Sequence, residues 1–271
     1  MSADWLYQCL LSEILAMGTP VESRNHPCVS HHDLTPVTFS ETPLITVRKT
    51  AWRKAILEME WFLSGDPRCP EELMDWWAGQ LHPTQQYRRG YGEQWRKSTG
   101  DFDQIHYILD GIRNHPTSRR LVMSNWNPYE MAHITSINNN PKCPTCCHHS
   151  LTQFFVRNGE LSMTVYQRSA DMLLGFSHNI IQSWALLMWF AHQTDLQVGH
   201  LRWLLGDAHI YAHPSHIETA EAIIKARIIF NPNPPVLQYR PEPGEEEFKA
   251  SDFEIIGDAP EPLVNTRPVL L

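Results

Sequence analysis

Apolar positions recur along this chain in two periods, and each predicts its own kind of element. Between residues 3 and 17 they return every three or four residues with Asp4 and Glu13 among them, which predicts an amphipathic helix. A second helical pattern runs from Thr50 to Leu63, with Ile56, Met59 and Phe62 on one side, and stops at Ser64-Gly65-Asp66. Glu58 lies inside this pattern among apolar neighbours, where burial would raise its pKa. Pro70 to Ala78 predicts a short helix carrying Trp76 and Trp77; residues 103–114 and 214–225 predict two more. From Asn179 to about Thr194 the chain is apolar nearly all round, the pattern of a helix enclosed by the core.

Strand patterns fall at Val37–Phe39, Leu44–Val47, Leu121–Asn125, Leu201–Leu205, Val236–Tyr239 and Phe253–Ile256. Leu151–Val156 and Leu161–Gln167 flank Asn158-Gly159, which predicts a hairpin with a tight turn. The rest of Thr19–Ser40, the Gly90–Arg96 stretch and the Asn/Pro-rich insertion 134–144 read as loops.

One strand-to-helix junction concentrates polar chemistry: Tyr166-Gln167-Arg168-Ser169-Ala170-Asp171, then Leu174-Gly175, then Asn179. Arg168 suits a bidentate phosphate contact, and the Asn179 amide carries both a donor and an acceptor for a polar ring edge. A structural ion pair between Arg168 and Asp171, with Asn179 capping the helix, explains the same residues equally well.

Composition narrows the class. With 271 residues and 42% hydrophobic positions the chain sustains one well-packed domain, and no compositional break divides it. A formal charge of -8 argues against a general nucleic-acid binder, so arginines that hold a small anion must be gathered locally. No secretory signal stands out near the N-terminus, and the longest apolar run, Trp184–Ala191, is too short to span a bilayer. The six cysteines, three of them crowded at Cys143, Cys146 and Cys147, do not form a secreted disulfide framework, so a cytoplasmic protein is expected.

Several blocks in order resemble the thymidylate synthase family, which includes the pyrimidine nucleotide hydroxymethylases. They are Trp61–Asp66, Tyr91-Gly92-x-Gln94-Trp95-Arg96, Ser118-Arg119-Arg120, the Tyr166–Asn179 junction and Gly206-Asp207-x-His209-x-Tyr211. The resemblance covers almost the whole chain. It implies an α+β fold, a twisted mixed sheet packed with helices, with two sheets back to back in a homodimer. The implied chemistry moves a one-carbon unit from 5,10-methylenetetrahydrofolate, a co-substrate, to C5 of a pyrimidine nucleoside monophosphate. A thiolate adding at C6 makes C5 nucleophilic.

The resemblance also implies roles. Arg24 and Arg168, with Gln167 and Ser169, hold the nucleotide and its phosphate from one subunit, while Arg119 and Arg120 reach over from the other. His209 and Tyr211 hold the 3′-hydroxyl. Glu58 organises protons around the base O4, and Tyr91 stands near the departing C5 proton. Asn179 reads the base; an asparagine there favours uracil. Asp171, Trp77, Leu174 and Gly175 line the folate pocket.

The chain departs from the family pattern at the nucleophile. Matching the Cys-His dipeptide selects Cys147, with one extra residue before Gln153, as at a bulge. Counting back from Gln153 without a gap selects His148, and Cys146 is the neighbouring thiol. Cys143, Cys146, His148 and His149 have the residue types of a zinc site, but one Cys-x-x-Cys does not complete one, and no metal is expected. Met74 stands where synthases carry Trp, and His178 where they carry Phe. Both changes loosen or wet the folate wall, and His178 suits either a water-positioning role or a satisfied histidine at a helix start. On these grounds the leading expectation is a dUMP 5-hydroxymethylase. A divergent thymidylate synthase, a cytidylate hydroxymethylase and a nucleotide-binding homologue without catalysis are the alternatives.

Overall fold

A computed structural model describes residues 2–23, 26–78, 90–98, 100–128, 149–229, 231–258 and 260–264. The 134–144 insertion, Arg24, Cys143, Cys146, Cys147 and His148 lie outside the described residues.

Among the described residues a mixed sheet forms the frame. Its strands are β1 (Thr19–Val21), β2 (Cys28–His31), β3 (Val37–Phe39), β4 (Val122–Ser124), β5 (Leu151–Arg157), β6 (Glu160–Asp171) and β7 (Gln197–Tyr211). The order is β1-β2-β7-β6-β5-β4, and β3 also pairs with β7. β6 and β7 run parallel, whereas the other pairs in this sheet are antiparallel. The parallel pair is connected through helix α6 (Phe176–Gln193), since parallel neighbours need a crossover. A separate antiparallel ribbon pairs β8 (Val236–Tyr239) with β9 (Phe253–Ile256).

The β5–β6 hairpin turns at Asn158 and Gly159 with φ of 51° and 79°, the left-handed pair a type I′ turn requires. Residues of one face of β5, β6 and β7, including Phe154, Met163, Val165, Leu201 and Trp203, are fully buried. Helix α6 packs on this face, and its own apolar positions are buried almost all round, as its sequence predicts. Helix α2 (Trp52–Ser64) packs on α6 from the other side. Helix α1 (Ala3–Met17) covers the β2–β7 edge together with α7 (Pro214–Lys225). Among the described residues the other α-helices are the short α3 (Met74–Trp77), after a 3-10 turn at Glu71–Leu73, then α4 (Tyr91–Arg96) and α5 (Gln104–Asn114). This is the α+β architecture around a mixed sheet that the resemblance implies.

Several local expectations change. Gly90–Arg96 is the helix α4 rather than a loop: Gly92 lies against the end of α2, where an added Cβ would stand 2.6 Å from the Phe62 carbonyl oxygen. Gly65, at φ 69°, ends α2 beside it. Leu44–Val47 is not a strand. Its amides are satisfied by a side chain instead, the Asp4 carboxylate accepting from Thr46 N (2.7 Å) and Val47 N (2.8 Å). Cys28–His31, within the stretch expected to be irregular, pairs with the end of β7. β7 itself runs well beyond Leu201–Leu205 and carries the Gly206–Tyr211 block as strand. Helix α6 begins at Phe176, three residues before Asn179.

Candidate active site

The polar side chains of α2, α6 and β6 meet on the buried side of the sheet. Glu58, on α2, is 8% exposed, and its carboxylate accepts the Trp77 indole N–H at 2.6 Å and the Gln182 amide N–H. Burial pushes its pKa up to about 7, against the opposing pull of those two donors. Gln182, three residues along α6 from Asn179, also donates to the Ala55 carbonyl at 2.9 Å. The Asn179 amide nitrogen donates to Gln182 Oε1 at 3.3 Å. Its Oδ1 accepts from Gln167 Nε2 at 3.1 Å. Gln167, 2% exposed on β6, donates from the same nitrogen to the Ser169 carbonyl (3.0 Å) and accepts from the Trp203 indole at 3.1 Å. One run of hydrogen bonds therefore joins Trp77, Glu58, Gln182, Asn179, Gln167 and Trp203.

An aromatic group closes the Glu58 side. Tyr91 stacks on Phe62 with ring centroids 4.5 Å apart, and Trp77 meets Phe62 edge-on at 6.0 Å. Trp76 packs against the His178 ring at 5.0 Å. Both His178 nitrogens have backbone partners: Nδ1–H donates to the Leu174 carbonyl (2.9 Å) and Nε2 accepts from Ala51 N–H (3.2 Å). Burial, joined by the nearby Arg48 cation, lowers its pKa to about 4 even though the Leu174 bond acts the other way, so the ring is neutral.

At the junction itself, Asp171 Oδ1 accepts from Leu173 N and Leu174 N, both at 2.9 Å, which turns the chain from β6 toward α6. Gly175 follows, and its carbonyl accepts the Asn179 backbone N–H at 2.9 Å. The half-buried Arg168 lies with its guanidinium 5.4 Å over the Trp126 ring, and Ser169 is half-buried beside it. In the parallel ladder Ser169 is opposite Asp207 and Asp171 opposite His209, which brings the second block to the same end of the sheet. Asp207 accepts from the Ser30 hydroxyl and lies 3.3 Å from His209 Nδ1. These contacts, His209 first, hold its carboxyl below the ordinary range. The His209 ring meets Tyr211 at 5.1 Å.

Arg119 and Arg120 stand apart from this network, exposed in the turn ahead of β4. Their backbone is pinned: Tyr107 donates to the Arg120 carbonyl (2.9 Å) and Gln153 to that of Arg119 (3.2 Å). The candidate nucleophiles lie outside the described residues, but their C-terminal flank does not. His149, fully buried at φ 48°, joins Thr152 Oγ1 (2.8 Å) and Ser183 Oγ (2.6 Å) through its two ring nitrogens. The β5 ladder then runs without a register shift from Leu151 to Arg157. Any extra residue ahead of Gln153 therefore enters before Leu151, not as a bulge within the strand.

Gln182 and Ser183 were not singled out by sequence reasoning, and His149 only as a residue type suited to zinc. A glutamine inside an otherwise apolar helix is the available signal for the first, because an unpartnered amide is costly to bury.

The sequence model of the thymidylate synthase family matches residues 5–269, nearly the whole chain. This protein belongs to that family, whose members are one-carbon transferases with methylenetetrahydrofolate as co-substrate. It is 36% identical over 239 residues to a thymidylate synthase of Corynebacterium aurimucosum, an alignment covering 83% of this chain and 81% of the relative. It is 31% identical over 298 residues to bifunctional dihydrofolate reductase-thymidylate synthase 2 of Arabidopsis thaliana, covering 97% of this chain and 50% of that longer protein. Among the described residues, no helix is long and apolar enough to cross a membrane.

Proposed function

We propose that this protein is a thymidylate synthase: it transfers the one-carbon unit of methylenetetrahydrofolate to C5 of dUMP and delivers it as methyl. The observation that carries this reading is the Asn179 amide, held from both sides beside a buried, proton-competent Glu58. An asparagine so placed donates to O4 and accepts from N3–H of uracil, and a carboxyl with pKa about 7 exchanges a proton with the ring oxygen at neutral pH.

Arg168 and Ser169, joined by Arg24, take the 5′-phosphate; His209 and Tyr211 take the 3′-hydroxyl. Arg119 and Arg120, exposed and carried on a pinned turn, serve the partner's phosphate in a homodimer. Cys147 is the nucleophile that adds to C6, with Cys146 and His148 the competing positions. Methylenetetrahydrofolate supplies the one-carbon unit and the hydride. Trp77, Leu174, Gly175 and Asp171 form its wall. Asp171 fits, since only Oδ1 is used in the turn and, among the described residues, Oδ2 has no hydrogen-bond partner.

The His178 side of the wall supports reduction to methyl over capture of water. Read from sequence, His178 wets that wall. In the fold its nitrogens face Leu174 and Ala51 and its ring faces Trp76, so it brings no polar atom to a water. Hydroxymethylation of dUMP is the second reading. Met74, half-buried where synthases carry the larger Trp, favours it by leaving room. Mass spectrometry of the nucleotide formed from dUMP and methylenetetrahydrofolate separates the two. 5-Methyl-dUMP with dihydrofolate supports the proposal. 5-Hydroxymethyl-dUMP with tetrahydrofolate supports the second reading. Nucleotide binding without turnover contradicts both.

A further inference from the structure

An asparagine amide that reads a pyrimidine has two orientations, and they select different bases. With nitrogen toward ring position 4 and oxygen toward N3, it matches uracil; flipped by half a turn, it matches cytosine, whose position 4 donates and whose N3 accepts. Asn179 by itself does not decide between them. Something must fix the flip.

The network around it has a single polarity, because its ends are chemically unambiguous. The Trp203 indole N–H can only donate, so the Gln167 atom facing it is the oxygen. The other Gln167 atom is then nitrogen, consistent with its bond to the Ser169 carbonyl, which can only accept. At the far end the Ala55 carbonyl can only accept, so the Gln182 atom facing it is nitrogen, and that nitrogen also serves the Glu58 carboxylate. Gln182 therefore turns its oxygen toward Asn179. Between a donor from Gln167 and an acceptor from Gln182, the Asn179 amide has one satisfied orientation: Oδ1 toward Gln167 on β6, Nδ2 toward Gln182, whose own amide nitrogen reaches Glu58. Flipping it would set nitrogen against nitrogen and oxygen against oxygen at the two contacts, in a buried site.

We infer that Gln182 is a specificity-determining positioning residue: by accepting from Asn179 Nδ2 while anchored to the Ala55 carbonyl and Glu58, it locks the base reader in its uracil-selecting flip. The inference rests on the reading of Asn179 as the base contact and Glu58 as the group on the O4 side. Gln182 touches neither substrate nor co-substrate in this account. It acts through the two side chains that do.

Calorimetric binding of dUMP and dCMP to the whole protein tests this with two variants. Gln182→Met keeps length and burial but removes the acceptor, and should lower the preference for dUMP over dCMP by roughly tenfold, the scale of one hydrogen bond. Gln182→Glu keeps an acceptor toward Asn179 and, below the Glu58 pKa of about 7, takes a hydrogen bond from the protonated Glu58 in place of the lost amide contact, so measured there it should retain the preference. An unchanged ratio in Gln182→Met, or an equal loss in both variants, overturns the inference. A wild-type protein that binds neither nucleotide instead overturns the functional reading beneath it. If neither variant accumulates folded, the wild type still answers. The Gln182 side-chain amide protons, bonded to Glu58, should follow the carboxyl titration in 15N–1H spectra, whereas amide signals indifferent to pH across that titration contradict the anchoring.

Discussion

The Trp77 indole donates to Glu58 Oε1 at 2.6 Å, so the residue on the folate wall and the buried carboxyl are one hydrogen-bonded unit. Whatever moves Trp77 alters the proton affinity of Glu58, and the reverse holds as well. Trp77→Phe keeps an aromatic ring near Phe62 while removing the donor and part of the buried indole. It should raise the Glu58 pKa further and destabilise the fold by about 2–3 kcal/mol, lost donor and cavity together. Chemical denaturation and the pH dependence of kcat/KM together check this, with the profile inflection moving upward.

Two groups in this site, the buried Glu58 and the half-buried His178, titrate with opposite effects on stability. Glu58, with a pKa of about 7 folded against 4.5 ordinarily, binds more protons in the folded state between those values. Stability from this group therefore falls as pH rises from 4.5 toward 7 and is level above, a change on the order of 3 kcal/mol. Glu58→Gln removes that fall, and denaturation midpoints recorded across the window should show it.

His178 does the reverse. Its pKa of about 4 folded lies below the ordinary 6.5, so the unfolded chain binds more protons between those values. Its contribution is complete above pH 6.5 and is lost as pH falls toward 4. In the native protein the two slopes largely offset each other. His178→Phe should unmask the falling Glu58 slope, and Glu58→Gln the rising His178 slope. Because His178 brings no polar atom to the one-carbon unit, His178→Phe should also leave the methyl-to-hydroxymethyl product ratio unchanged.

Asp207 orients His209 from 3.3 Å and is itself held by the Ser30 hydroxyl. Asp207→Asn should raise KM for dUMP by roughly tenfold, the scale of one close charge-to-ring contact, with kcat much less affected. The same variant should bind 2′,3′-dideoxyuridine monophosphate, which lacks the 3′-hydroxyl, as the native protein does. Comparing the two nucleotides separates orientation of His209 from general disruption of β7.

Cysteine variants locate the nucleophile. Cys147→Ser should abolish turnover while nucleotide binding persists, whereas Cys146→Ser should keep activity. The reverse pattern, measured by turnover alongside calorimetric binding, moves the role to Cys146.

Periodicity made the long elements readable: α1, α7, the β5–β6 hairpin and the β8–β9 strands stand where their apolar patterns place them. What escaped was decided by contacts distant in sequence. Gly90 and Gly92, at the start of α4, look like loop, yet Gly92 is there because the end of α2 comes too close for a side chain. Leu44–Val47 has a strand's composition, but Asp4 takes its amides from forty residues away. For the site, the blocks named the residues that would touch ligands, and the fold joined several through one network. Gln182 was hidden inside an apolar helix, and its meaning appears only when α2 and α6 are packed together.

Tritium release from dUMP labelled at C5 tests the central claim most directly. With methylenetetrahydrofolate present, the protein should release tritium to water and form an equal amount of dihydrofolate. Release without dihydrofolate would contradict delivery as methyl, and no release from a folded, nucleotide-binding protein would contradict one-carbon transfer to C5 altogether.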